Sequence, residues 1–185
     1  MTKNNVANTM IVIYLIIRTM QVNIALLTVT DTRTIDTDKS GSILVKKINE
    51  QNHKLIDRKI VKDEKDKIKK ILLSWLKKKD LDVIITTGGT GLTGRDITPE
   101  AIKEIADKEI PGFGELFREL SYKTVGTSAM QSRACAVLAK GKYIFALPGS
   151  SGGVTDAWEG ILKYQLDINH KPCNFVELFP RLKEK

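Results

Sequence analysis

The chain has 185 residues, 42% of them apolar and 28% charged. These are globular values that exclude wholesale disorder, a collagen-like repeat and low-complexity architecture, and the length suits one domain. Thirty Lys and Arg against 22 Asp and Glu give a formal charge of +8, which points to an anionic partner. A nucleic acid is not the one expected, because the basic residues fall in mixed-sign stretches such as Lys62-Asp63-Glu64-Lys65 and 6% aromatics supply no stacking platform beside a basic stripe.

Met10 to Ile17 is an apolar run of eight, far short of the roughly 20 residues that span a bilayer, so no membrane crossing is expected. Lys3 precedes it as in a signal peptide, but no A-x-A-like cleavage site follows and the next segment already reads as a core strand. Residues 1–19 are therefore set apart from a domain over residues 20–185. They read equally as an extension, an added edge strand or the product of a start assigned too far upstream. Cys135 and Cys173 form neither a disulfide framework nor a CxxC pair, which fits a reducing cytoplasm. Neither His53 nor His170 has a partner at zinc-ligand spacing.

Val22 to Thr30 is apolar and β-branched without alternation, the pattern of a strand covered on both faces in a parallel sheet. A polar stretch, Asp31 to Ser40, leads to a helix near Gly41 to Gln51, and Lys54 to Val61 supplies the second strand. Ile68, Ile71, Leu72, Trp75 and Leu76 then recur at helical spacing, with lysines on the other side and in the last turn. Leu81 to Thr87 is a third buried strand running into Gly88-Gly89-Thr90-Gly91. Thr98 as N-cap with Pro99 in the first turn predicts a helix to about Lys108, and Pro111 to Lys123 predicts another. Ala134 to Ala139 and Lys142 to Leu147, separated by Lys140-Gly141, predict a hairpin. Pro148-Gly149-Ser150 opens a second glycine-rich turn, and Val154 to Leu166 is the closing helix. Strands alternating with helices give a three-layer α/β/α sandwich on a mostly parallel sheet with one antiparallel hairpin, whose ligands bind beyond the C-terminal strand ends.

Gly89-x-Gly91-x-x-Gly94 matches the dinucleotide-binding fingerprint in letters only. Its strand is about the third, no helix starts within it and no acid ends the next strand, and the absence of GK[ST] excludes a Walker loop. What remains is an anion cradle of backbone amides, with Thr86, Thr87 and Thr90 as added hydroxyl donors. Asp63 follows the second strand and Asp96 ends the glycine loop. If the second and third strands are adjacent, the two carboxylates share one crevice and suit a hydrated Mg²⁺ that bridges protein acids to phosphate. No Ser-His-Asp or Cys-His set is evident, so a protein nucleophile is not expected; phosphoryl or nucleotidyl transfer does not require one, since it can run on positioning and charge neutralisation.

The segments LLTVTDTR (Leu26 to Arg33), ITTGGTGLTGRDITPEA (Ile85 to Ala101), IPGFGELFRELSY (Ile110 to Tyr122), GTSAMQSRA (Gly126 to Ala134), FALPGS (Phe145 to Ser150) and KPCNF (Lys171 to Phe175) resemble the molybdenum cofactor biosynthesis protein B and Mog family of molybdopterin-binding proteins. The resemblance implies trimers or hexamers and binding of molybdopterin, an anionic pterin dithiolene carrying a phosphate. Its Mog branch implies adenylylation with Mg-ATP and release of pyrophosphate, with Asp63 and Asp96 in the positions of the catalytic, metal-holding acids. Gly88 to Gly91 would take the molybdopterin phosphate, and Ser128 and Ser150, beside Pro148 and Gly149, lie in segments lining the site. Lys62 stands where the Mog pattern has proline, and the GTSAMQSRA and KPCNF segments look like the B branch. The alternatives are a carrier that binds molybdopterin without chemistry and a nucleotide-processing enzyme of the competence-damage-inducible type, which TTGGTG also resembles.

Overall fold

A computed structural model describes residues 20–184, so the apolar run at 10–17 lies outside the described residues. The order is β1 (Asn23–Val29), α1 (Lys39–Glu50), β2 (Lys54–Val61), α2 (Lys65–Leu76), β3 (Val83–Thr87), α3 (Thr98–Lys103), β4 (Lys108–Glu109), α4 (Pro111–Val125), β5 (Cys135–Ala139), β6 (Lys142–Leu147), α5 (Ser151–Ala157) and α6 (Lys163–Gln165). A 3₁₀ segment, Gly126–Gln131, follows α4; a π-helical turn, Trp158–Leu162, joins α5 to α6; and a second 3₁₀ segment spans Val176–Arg181.

The six strands form one sheet in the order β2-β1-β3-β6-β5-β4. β2, β1, β3 and β6 run parallel, while β5 runs antiparallel to β6 and to β4. β1 shows why its sequence does not alternate. Ile24 and Leu26 pack with Leu44 and Ile48 of α1 on one face, and Ala25, Leu27 and Val29 pack with Ile68, Leu72 and Trp75 of α2 on the other. Helices cover both faces, which is the predicted three-layer sandwich.

Several boundaries depart from expectation. β1 lies between β2 and β3, so the strands leading to Asp63 and Asp96 are not adjacent. The helix opening at Thr98 ends at Lys103, not near Lys108, because Asp107 and Ile110 donate their amides to Leu138 and Ala136 and draw the chain onto the sheet edge as β4. Ile97 stands in the cap position of α3, and the Thr98 hydroxyl donates instead to the Gly88 carbonyl at 2.9 Å. The closing helical run begins at Ser151, with Ser150 as its N-cap, and passes through the π turn.

Candidate functional site

The turn after β3 and the turn after β6 meet because their strands are neighbours. Gly88 donates its amide to the Leu147 carbonyl at 3.0 Å and the Thr87 hydroxyl donates to the Pro148 carbonyl at 2.8 Å. Thr86 likewise donates to the Phe145 carbonyl. Two of the three hydroxyls that the sequence offers as ligand donors thus tie β3 and its turn to β6 and its turn. Gly88 has φ +100°, and a β-carbon there would fall 2.1 Å from the Val29 carbonyl oxygen, so no other residue fits without moving β1. A β-carbon on Gly89 would meet the Thr98 hydroxyl at 2.4 Å and an Asp63 carboxylate oxygen at 2.9 Å. The Asp63 carboxylate therefore lies against the glycine loop although β1 separates their strands.

Between the turns opens a crevice of about 480 Å³, lined in part by Gly88 to Gly91, Asp96, Arg33 and Pro148 to Ser150. Thr90 is buried and its carbonyl accepts from the Arg133 amide at 2.9 Å. Asp96 accepts hydrogen bonds from the Thr93 amide at 2.9 Å and the Thr93 hydroxyl at 2.6 Å. Partial burial pushes its carboxyl up, but the bonds from Thr93 and from the Gly91 amide outweigh this and hold it below the ordinary aspartate range. Asp63 is shifted the other way. Burial raises it first, the Asp31 and Asp96 charges add to this, and Arg95 only partly offsets them. Asp31 is held low by a bidentate pair with Arg95 at 2.7–3.0 Å, and it accepts the Asp63 amide at 3.3 Å.

Asp63 and Asp96 thus lie against the same amide-lined loop, Asp63 within electrostatic reach of Asp31 and Asp96, with Arg95 the cation paired to Asp31. Among the described residues no group of three or more His, Cys, Asp or Glu is close enough to form an all-protein metal cage. That donor set fits Mg²⁺, which takes one or two carboxylates, keeps several waters and accepts substrate phosphate oxygens.

At its other end the crevice shares Ser132, Pro148 and Ser150 with a hollow of about 420 Å³. Phe117 and Ala129, both buried, line it together with Ser121, Ser128 and Asp156. Ser121 is 8% exposed, yet its hydroxyl makes no hydrogen bond among the described residues. Thr124 donates to the Ser121 carbonyl at 2.9 Å and to Asp156 at 3.2 Å. Ser128 is exposed on the rim, and the Ser150 hydroxyl accepts the Gly153 amide at 3.1 Å as the α5 cap.

The family model described as "Probable molybdopterin binding domain" matches residues 25–167. The chain belongs to this molybdopterin-binding family. It is 44% identical over 161 residues to molybdenum cofactor biosynthesis protein B of Escherichia coli K12, covering 87% of this chain and 93% of that protein. A crystal structure of a molybdenum cofactor biosynthesis protein B superposes with TM-score 0.81 at 41% identity, covering 90% and 98% of the two chains. The molybdopterin biosynthesis Mog protein of Mycobacterium ulcerans superposes with TM-score 0.72 at 25% identity, covering 90% and 100%.

In this family member, several residues around the site had no role assigned by sequence reasoning. Arg133 grips the glycine loop from beneath: Nε donates to the Gly91 carbonyl at 2.6 Å, Nη2 to the Asp96 carbonyl at 2.5 Å, and Nη1 pairs with Glu100. Arg133 and Arg95 lie within the recognised segments, but only the fold shows which carbonyl or carboxylate each one meets. Ser121 and Asp156 are brought together by α4 crossing α5, contacts that no local pattern encodes. Among the described residues, no helix is long and apolar enough to cross a membrane.

Proposed function

We propose that this protein acts in molybdenum cofactor biosynthesis by adenylylating molybdopterin with Mg-ATP and releasing pyrophosphate. The reading is supported by Asp96, which lines the crevice of loop amides, and by Asp63, whose carboxylate lies against Gly89 of the same loop. Family membership and the names of the relatives support the pathway and the pterin ligand.

A phosphate oxygen of the pterin attacks the α-phosphorus of ATP, the bond from that phosphorus to the bridging oxygen breaks, and the electron pair leaves with pyrophosphate. A phosphate monoester is already an anion at neutral pH, so no protein base need take a proton from it. Asp63 and Asp96 would hold Mg²⁺, which when bound offsets charge on the transferring and leaving phosphates. The amides of Gly88 to Gly91 orient phosphate oxygens, and Thr87, Thr98 and Arg133 hold those amides in place. The hollow with an apolar floor and hydroxyl rim takes the flat pterin, with Ser121, Ser128 and Asp156 meeting its polar edge.

The assembly we expect is a trimer or hexamer, to be measured by analytical ultracentrifugation; exposed Leu116, Tyr122 and Met130 offer apolar contact surface for it. The deciding experiment measures pyrophosphate release from Mg-ATP with and without molybdopterin. Release that requires the pterin supports the reading. Tight pterin binding with no release would make the protein a carrier, and release without pterin would make it a nucleotide-processing enzyme.

A further inference from the structure

Of the described residues lining the crevice between the two glycine turns, Arg33 is the only cation. The other arginines around the site are already engaged with carboxylates: Arg95 with Asp31, Arg133 with Glu100 and Arg58 with Asp38. Arg33 forms no ion pair among the described residues. Its Nη1 donates to the Gly149 carbonyl at 3.2 Å and to the Ser40 hydroxyl at 3.3 Å, and no bond from Nε or Nη2 is present among those residues. One edge of the guanidinium is anchored and the remaining N–H groups are left for a ligand.

The anchor is itself fixed from within. Ser40 is fully buried and donates to Asp38 at 3.1 Å. Asp38, 1% exposed, also accepts the Thr28 hydroxyl at 2.6 Å, the Gly41 amide at 2.9 Å and Arg58 at 3.0 Å. The chain from Arg33 through Ser40 to Asp38 therefore ends in the β1–α1 core. An exposed arginine ordinarily loses much side-chain freedom on gripping a ligand, and this one has already surrendered part of it.

We propose that Arg33 binds the phosphate monoester of the pterin substrate, with Ser40 as its positioning residue. The inference rests on the reading of the crevice as a molybdopterin site. A guanidinium offers paired donors to phosphate oxygens in a fork that an ammonium does not reproduce. Its bond to Gly149, between Pro148 and Ser150, which also line the hydroxyl-lined hollow, assigns it to the pterin's phosphate and not to the nucleotide's.

The test titrates wild type, R33Q, R33K and S40A with a phosphorylated pterin and with its dephosphorylated counterpart, following pterin fluorescence. Pyrophosphate release is measured in parallel with each substrate varied. Wild type should prefer the phosphorylated pterin, and R33Q should lose roughly 10- to 100-fold in affinity for it with no change for the other. R33K should fall between them, and S40A should lose about threefold. The KM for molybdopterin should rise in R33Q while the KM for ATP stays put. Thermal melting of R33Q should match wild type, since the side chain is exposed. Unchanged binding of the phosphorylated pterin by R33Q, an absent preference in wild type, or a rise confined to the KM for ATP would overturn the assignment. A wild type that prefers the phosphorylated pterin, with R33Q losing that preference, but releases no pyrophosphate supports Arg33 and overturns adenylylation instead.

Discussion

The two ends of the crevice store their chemistry in different forms. At one end Asp31, Asp63 and Asp96 crowd together, and Asp63 bears the strain as a carboxyl pushed up by burial and by its neighbours' charge. At the other, Ser121 presents its hydroxyl side to a hollow floored by Phe117 and Ala129. The first end is unfavourable until a cation arrives, whereas the second stands open to a polar ring edge. At the acid end the empty protein thus carries a cost that a cation removes, which makes binding there selective for that chemistry. The comparison also predicts that removing the Asp63 charge makes the resting fold more stable.

The substitution with the largest effect removes both ends at once. Gly88→Ala places a β-carbon 2.1 Å from the Val29 carbonyl at φ +100°, where β1, β3 and the β6 turn converge. Loss of about 3 kcal/mol or more of stability is expected by chemical denaturation, together with loss of pterin binding. A variant that melts like wild type would show that the two turns are less tightly coupled than their contacts imply.

Asp63→Asn and Asp96→Asn should separate function from stability. Each is expected to lower pyrophosphate release by about 100-fold or more, but their effects on the empty fold differ in sign. Asp63 is raised, so its ionised form is less favourable in the folded chain than in the unfolded one at neutral pH; Asp63→Asn should raise the melting temperature by about 1 °C after solvent screening. Asp96 is lowered by its bonds from Thr93 and Gly91, so it stabilises the fold above the ordinary aspartate pKa, and Asp96→Asn should lower the melting temperature. The same shifts set how the empty protein responds to acid. As pH falls, Asp63 takes up its proton first, at a pH above the ordinary aspartate value, while the contribution of Asp96 persists to below it.

Much of this frame is legible in the residues. β1 and β3 announce themselves as runs buried on both faces, the Lys140-Gly141 hairpin is a two-residue turn between apolar runs, and the segments around Gly88 to Gly91 and Asp96 identify the family. What the residues hide is order in the sheet. Adjacency of β2 and β3 is the natural inference from chain order, yet β1 sits between them, and Asp63 still reaches the loop because it lies beyond the strand ends, where a crevice gathers residues from several strands. Thr87 and Thr98 look like ligand donor and helix cap; both donate instead to carbonyls of the glycine turns, since a buried carbonyl in an irregular turn needs a partner and no strand supplies one. Arg133 is unreadable for the same reason: its three acceptors lie on the far side of the loop.

Arg133→Ala sharpens the comparison at intermediate size. It frees the Gly91 and Asp96 carbonyls without touching a carboxylate of the acid end, so pyrophosphate release should fall about tenfold while the affinity of the hollow for pterin, read by fluorescence, stays within about twofold. An equal loss of both would mean that the ends are not independent.

The smallest effect is the most discriminating. Ser121→Ala removes a hydroxyl from the lining of the hollow that makes no hydrogen bond among the described residues, so the stability of the empty protein should change by less than about 0.5 kcal/mol in chemical denaturation. Pterin affinity should fall about threefold to tenfold, with the KM for ATP unchanged. The contrast with Asp63→Asn is direct: stability barely moves, function falls, and only the substrate that sits at that end notices. Were Ser121→Ala to destabilise the protein and leave pterin binding intact, the hydroxyl would belong to the core packing of α4, and the hollow would need another reader of the ring.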